Sequence, residues 1–203
     1  MLTLILSSIA ALIQMFSQLK YVHNLIKNKI ILNSTTWFVV VLVQLLSTSA
    51  FYSMVSTSNP VIATSSIIAA VGVIFTFIFA LTKGKFAKME TADKISLALA
   101  LITTTVWFMS KSAEYASLLI QATYVIAFTP TMIGLLRGTL REKAFPWFLS
   151  SVAGGCIVAA VISSSGFTNV IGILHPLIIG VTLNGIIGVL AVLQDKNLIK
   201  KPY

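Results

Sequence analysis

The stretch from Tyr124 to Ala160, YVIAFTPTMIGLLRGTLREKAFPWFLSSVAGGCIVAA, decides the fold. It reads as an apolar helix carrying Thr129-Pro130-Thr131, then a short basic loop holding Arg137, Arg141, Glu142 and Lys143. Pro146-Trp147-Phe148 then opens a second apolar helix. The same pattern occurs 110 residues earlier, where Lys27 precedes Trp37-Phe38 by ten residues, as Arg137 precedes Trp147-Phe148. Twice, an apolar helix ends in a basic loop and a Trp-Phe pair starts the next one. A pattern that recurs at a fixed offset marks a duplicated unit.

Composition places the repeat in a bilayer. The chain has 203 residues, 57% hydrophobic and 9% charged, against about 25% charged in a soluble domain. A net charge of +9 suggests nucleic acid only until its distribution is read. The cations sit in short loops between apolar runs, which is the chemistry of membrane orientation rather than of a nucleic-acid face. Cys156 is the single cysteine and lies inside an apolar run, so it reads as packing and not as part of a disulfide or metal framework. The N-terminus is apolar without a positive leader or a small-residue cleavage site, and is expected to be a retained first helix.

A spanning helix needs about 20 apolar residues. Seven candidates emerge, over 4–26, 34–55, 61–81, 94–109, 112–136, 146–163 and 168–194, the fourth being the shortest. With the N-terminus outside, thirteen of the fourteen Lys and Arg fall on the inner side. They are Lys20, Lys27 and Lys29; Lys83, Lys85, Lys88 and Lys94; Arg137, Arg141 and Lys143; and Lys196, Lys200 and Lys201, with Lys111 alone outside. The positive-inside rule therefore predicts seven spans, N-out and C-in. Helices 1–3 and 5–7 then form two parallel three-helix repeats, and helix 4 supplies the crossing between them. The expected fold is all-α integral membrane with a 3-1-3 arrangement: residues 1–82 as the first repeat, 83–111 as loop and linker helix, 112–195 as the second repeat, and 196–203 as a cytoplasmic tail.

Polar side chains inside the spans are the candidate binding groups, because lipid cannot satisfy them. Asn184 lies twelve residues before Lys196, roughly 18 Å from the inner edge at about 1.5 Å per residue, near the midplane. Gln14, Gln18 and Tyr21 share one face of the first helix, with Ser17 beside them, and Gln121 and Tyr124 share a face of the fifth. Gln14 and Tyr124 occupy equivalent places in the two repeats, and Gln44 on the second helix is a similar case. These are read as solute contacts, against the alternative that they hydrogen-bond one another. Trp37 and Trp147 stand just past the basic loops, where interfacial anchors concentrate. Their other reading, with Tyr21, is an aromatic wall of the inner vestibule. Pro130 and Pro176 each remove a backbone hydrogen bond and can kink a helix. Gly154, Gly155, Gly180, Gly185 and Gly188 suit close helix approach. His23 and His175 have no partner evident from the sequence.

The 3-1-3 plan resembles the SWEET and PQ-loop transporter superfamily over nearly the whole chain. Phe128-Thr-Pro-Thr131 through Glu142 to Trp147 looks like the second repeat of bacterial seven-helix PQ-loop-like proteins, and Tyr21 through Asn33 to Thr36-Trp37 like the first. Asn184 with Gln194 resembles the Asn…Gln spacing of the last SWEET helix. Two features depart from the pattern: Ser17-Gln18 stands where the first repeat has Pro-Gln, and the third helix contains no Asn to partner Asn184. The resemblance implies a substrate site between the two repeats, with Pro130 and Pro176 as hinges for alternating access.

The five acids, Glu90, Asp93, Glu114, Glu142 and Asp195, lie in loops or at helix ends. Coupled transporters usually hold a carboxylate within the membrane, so the expectation is facilitated diffusion of a small neutral polar solute such as a sugar, nucleoside or vitamin-like molecule. No cofactor, metal or enzymatic activity is expected: the sequence carries no P-loop, no HExxH and no Ser/His/Asp grouping at helical spacing. The expected partners are the solute and the lipid bilayer, with homo-oligomerisation open, and the expected location is a bacterial plasma membrane. A seven-helix sorting or sensing receptor of the KDEL-receptor plan is the alternative. Such a receptor needs charge in its cavity, and Lys20 is the one basic candidate within a span. A lipid-handling protein is a third reading.

Overall fold

The computed structural model describes residues 1–32, 34–55, 60–83, 91–110 and 113–199. Lys85, Lys88, Glu90, Lys111, Lys200 and Lys201 lie outside the described residues, as do the side chains of Lys83, Asp93 and Glu114. The described chain is helical: α1 (Leu2–Ile26), α2 (Ser34–Val55), a 3₁₀ turn (Pro60–Ala63), α3 (Thr64–Lys83), α4 (Thr91–Ser110), α5 (Ala113–Arg137), α6 (Ala144–Ser165), α7 (Val170–His175), a π-helical segment (Pro176–Leu183) and α8 (Asn184–Asp195). The last three run on as one rod, Val170–Asp195. Six helices are long and apolar enough to cross a bilayer, and α4 carries a shorter apolar stretch, Leu97–Met109. This is a multi-pass helical membrane protein. Its outer surface agrees, since Leu12, Phe16 and Leu19 of α1 and Phe75 of α3 are exposed where water would not tolerate so continuous an apolar face.

Adjacency explains why the polar faces turn inward. α3 packs on both α1 and α2, and the rod of α7, the π segment and α8 packs on both α5 and α6. α1 lies against α6, α2 against α5, and α4 against α5 and α2. The six long helices thus close a ring, with α4 outside it. Gln14, Ser17 and Tyr21 of α1, Gln44 and Ser47 of α2, and Gln121 and Tyr124 of α5 are all buried.

One end of the ring collects the basic loops that follow α1 and α5. The chain leaves α1 through Asn28 at φ 54° and leaves α5 through Gly138 at φ 71°, the left-handed conformation that ends helices. The two following loops then pair: Ile31 N–H donates to Arg141 O at 2.8 Å and Arg141 N–H donates to Ile31 O at 3.0 Å. Gln194 Nε2 of α8 donates to Leu140 O at 2.9 Å, and Lys143 Nζ meets Asp195 Oδ1 at 2.9 Å. The loops after α1 and α5 and the end of α8 therefore share one end. At the opposite end Thr3 Oγ1 lies 2.8 Å from Ser163 Oγ.

Glycines set the closest helix contact. A Cβ on Gly154 of α6 would stand 2.7 Å from the Gly180 backbone, so α6 and the π segment meet backbone to backbone. Gly188 instead receives a side chain, the Phe148 ring, and Gly185 lies in ordinary contact with Ser151. Gly155 departs from the expectation: a Cβ there would have nothing within 4 Å, so it faces open space and serves no helix contact. Pro176 has no N–H for the preceding turn, and the rod runs as a π-helix from there to Leu183. α5, by contrast, continues as α-helix through Pro130. Cys156 is half-buried against the apolar cluster of Ala10, Phe51 and Ile157.

Candidate functional site

The ring surrounds a partly open cavity of about 120 Å³. A cavity of about 150 Å³ accepts benzene, so this one has room for a few heavy atoms, and a larger solute requires the helices to part. Gln14, Ser17, Gln18 and Tyr21 of α1, Trp37, Gln44 and Ser47 of α2, Tyr124 and Phe128 of α5, Trp147 and Ser150 of α6, and His175, Pro176 and Asn184 of the rod all line it. None of the residues lining it is Lys, Arg, Asp or Glu. The wall is neutral: amides, hydroxyls, an imidazole and aromatic rings, set among aliphatic side chains such as Val40, Val73, Ile157 and Ile179.

Several of these polar groups are held by neighbours, while the buried Nδ1 of His175 has no hydrogen-bond partner among the described residues. Tyr124 Oη donates to Gln44 Oε1, which ties α5 to α2. Gln44 Nε2 then donates to Thr48 Oγ1 at 3.1 Å, and Thr48 Oγ1 lies 3.0 Å from Ser66 Oγ of α3. Ser17 Oγ donates to Pro146 O at 2.6 Å and lies 2.8 Å from Ser150 Oγ, tying α1 to α6. Asn184 uses both amide hydrogens on the π segment, donating to Ile179 O at 3.0 Å and Gly180 O at 2.9 Å. Its side-chain oxygen is left as the group it can offer to the cavity.

The two ends of the cavity differ. Towards the basic loops aromatic rings cluster across it: Tyr21 lies 5.1 Å from Trp37 and 5.7 Å from Trp147, and Phe128 lies 5.9 Å from Trp147. Trp37 and Trp147 are both buried, so neither presents its ring to lipid as an interfacial anchor does. Towards the other end His175 stacks on Phe51 at 4.9 Å, and its Nε2 lies 3.0 Å from Ser47 Oγ.

Of the residues expected at a solute site, Asn184, Tyr124, Gln14, Gln18 and Gln44 are brought together, with Tyr21, Trp37, Trp147 and Pro176. Gln121 and Pro130 are not among the lining residues: Gln121 is buried and donates to Ser117 Oγ one turn back on its own helix, and Pro130 is half-buried in α5. Lys20 is exposed and does not line the cavity.

Glu142 is a loop residue, as its sequence position indicates, and it is 1% exposed. Its Oε1 accepts from Tyr21 Oη at 2.8 Å and its Oε2 from Trp147 Nε1 at 3.1 Å. Burial pushes its carboxyl up to about 7, and the two hydrogen bonds offset part of that rise. An acid outside the spans is therefore not always in water. Ser47, Phe51, Phe128 and His175 also line the cavity, beyond the residues to which the sequence points. Phe128 lies within the second repeat, and Ser47 carries no signal beyond lying almost one turn after Gln44.

No protein-family model, curated protein or solved structure matches the chain.

Proposed function

We propose that the chain is a SWEET-like membrane transporter that carries a small neutral polar solute by facilitated diffusion. The observation that carries this reading is the cavity at the centre of the helix ring, whose wall sets amides, hydroxyls and rings among aliphatic side chains and holds no charged side chain. A neutral solute exchanges water for amides, hydroxyls and ring faces there, and no ion has to be desolvated. In this reading residues 1–82 and 112–195 are two parallel three-helix repeats joined by α4, and they rock about the site to expose it to each side in turn. The exchange of neighbours supports it, since α1 against α6 and α2 against α5 are the same contact when the repeats are interchanged. Asn28 and Gly138, both left-handed, stand 110 residues apart, as do the paired Ile31 and Arg141. The basic loops after α1 and α5, gathered at one end, support an N-out, C-in placement, and the proposed location is a bacterial plasma membrane.

Counterflow into proteoliposomes tests the proposal. Vesicles loaded with one unlabelled neutral solute at equal pH on both sides take up the labelled form transiently, with no ion gradient. Uptake that appears only under an imposed proton or sodium gradient would overturn the facilitated reading.

A further inference from the structure

We infer that Glu142 is a proton-binding site whose occupancy decides whether the basic end of the cavity is shut. The inference rests on the reading that this end opens during transport. Glu142 stands behind the aromatic closure, off the cavity wall, and does not touch a solute there. Its two donors come from opposite sides of the closure: Tyr21 belongs to α1 and Trp147 to α6. Opening this end means drawing the Tyr21 ring away from the Trp147 ring, which breaks the Tyr21–Glu142 hydrogen bond.

The carboxyl is dry when the rings are closed and meets water when they part. Both donors are neutral, and a buried carboxylate without a cation is costly unless it takes up a proton. Among the described residues Tyr21 is the titratable group bonded to it. Trp37 of α2 and Trp147 of α6 carry no charge, Lys143 is bound to Asp195 of α8, and Arg137 and Arg141 are exposed. Protonated, Glu142 keeps both contacts: Oε2 still accepts from Trp147 Nε1, and the carboxyl O–H donates to Tyr21 Oη in the reverse sense. Closing therefore takes up one proton from the basic side, and opening returns it there. The titration falls near neutrality, so the closure responds to ordinary changes of pH on that side. The proton does not cross with the solute, because Glu142 has no place on the cavity wall.

A cysteine reporter tests this without any solute. Ser150→Cys in a Cys156→Ala background places one thiol on the cavity wall, reached from the basic side by a membrane-impermeant maleimide. Its labelling rate is measured between pH 5.5 and 8 and normalised to the same cysteine in unfolded protein at each pH. The normalised rate falls as pH drops below about 7, approaching tenfold per pH unit for a one-proton event. Glu142→Gln keeps the shape, accepts from Trp147 and donates to Tyr21, and holds the rate low at every pH. Tyr21→Phe removes a bond that favours the charged form and moves the midpoint to higher pH. A flat wild-type rate, or a Glu142→Gln rate that follows the wild type, overturns the inference. Should Glu142→Gln fail to fold, the protonated-carboxyl infrared band of wild type and Tyr21→Phe decides: the same upward shift supports the site, and an unmoved midpoint overturns it. A band that titrates while labelling stays flat overturns the gate and leaves the transport reading standing.

Discussion

Tyr21 and Glu142 stand 121 residues apart in the chain and are joined by a 2.8 Å hydrogen bond. That bond ties α1 to the loop ahead of α6 and makes stability depend on pH. The folded-state carboxyl titrates near 7 and the unfolded one near 4.5, so between those values the folded state binds more protons. Stability is full below the lower value and is lost as pH rises through the upper one, by on the order of 3 kcal/mol. The melting temperature in detergent is expected to rise from pH 8 to pH 5, and Glu142→Gln to flatten that rise.

Gly154 and Gly180 leave no room for a methyl group between α6 and the π segment. Gly154→Ala forces backbone against backbone and should lower stability by about 1–3 kcal/mol, the usual cost of overpacking. Gly155→Ala, one residue away and facing open space, should be neutral or slightly stabilising, because alanine favours helix. Thermal unfolding of the two variants in parallel separates them.

Tyr124→Phe keeps the ring and deletes the bond to Gln44 Oε1. Interhelical hydrogen bonds in membranes are worth about 0.6 kcal/mol on average and about 1.7 kcal/mol at most, so the variant should fold with a small loss in melting temperature. Its larger effect should be on solute affinity, since the freed Gln44 amide can rotate about its side chain. Equilibrium binding of the solute that counterflow identifies measures it.

Lys143 and Asp195 form an ion pair whose side chains are 27% and 46% exposed. Exposed pairs contribute about 0–1 kcal/mol. Asp195→Asn should leave the melting temperature nearly unchanged, and the difference from wild type should vanish at high salt.

Asn184 and Gln121 are equal candidates by residue type, and the structure separates them. Asn184→Ala removes an amide from the cavity wall and should abolish uptake while the protein still folds and inserts. Gln121→Ala removes a group bonded to Ser117 away from the wall and should leave uptake within about twofold of wild type, a difference of about 0.4 kcal/mol. Initial uptake rates normalised to inserted protein compare them.

The helical membrane fold was legible because each long helix carries its own apolar run, and the inward faces because polar groups at i, i+4 and i+7 have one dry place to go. Gln14, Gln18 and Tyr21 were readable in that way. Glu142 was not, because a charged residue between Arg141 and Lys143 has the local signature of a solvated loop. Its burial comes from Tyr21 and Trp147, one distant in sequence and one five residues on. His175 shows the same limit: its contacts, Ser47 and Phe51, lie on another helix more than 120 residues away. The π segment was half legible, since Pro176 marks a break in the helix but not the register that follows.

Two-sided labelling of one cavity residue tests alternating access most directly. The Ser150→Cys reporter, with Cys156→Ala, is placed in sealed vesicles, and a membrane-impermeant maleimide is added to one face and, separately, to the other. A cavity that opens to each side in turn predicts that the same thiol reacts from both faces and that labelling from either face consumes the sites available to the other. Labelling from one face alone, under conditions where the folded protein samples its full range of states, would contradict a transporter and point to a receptor.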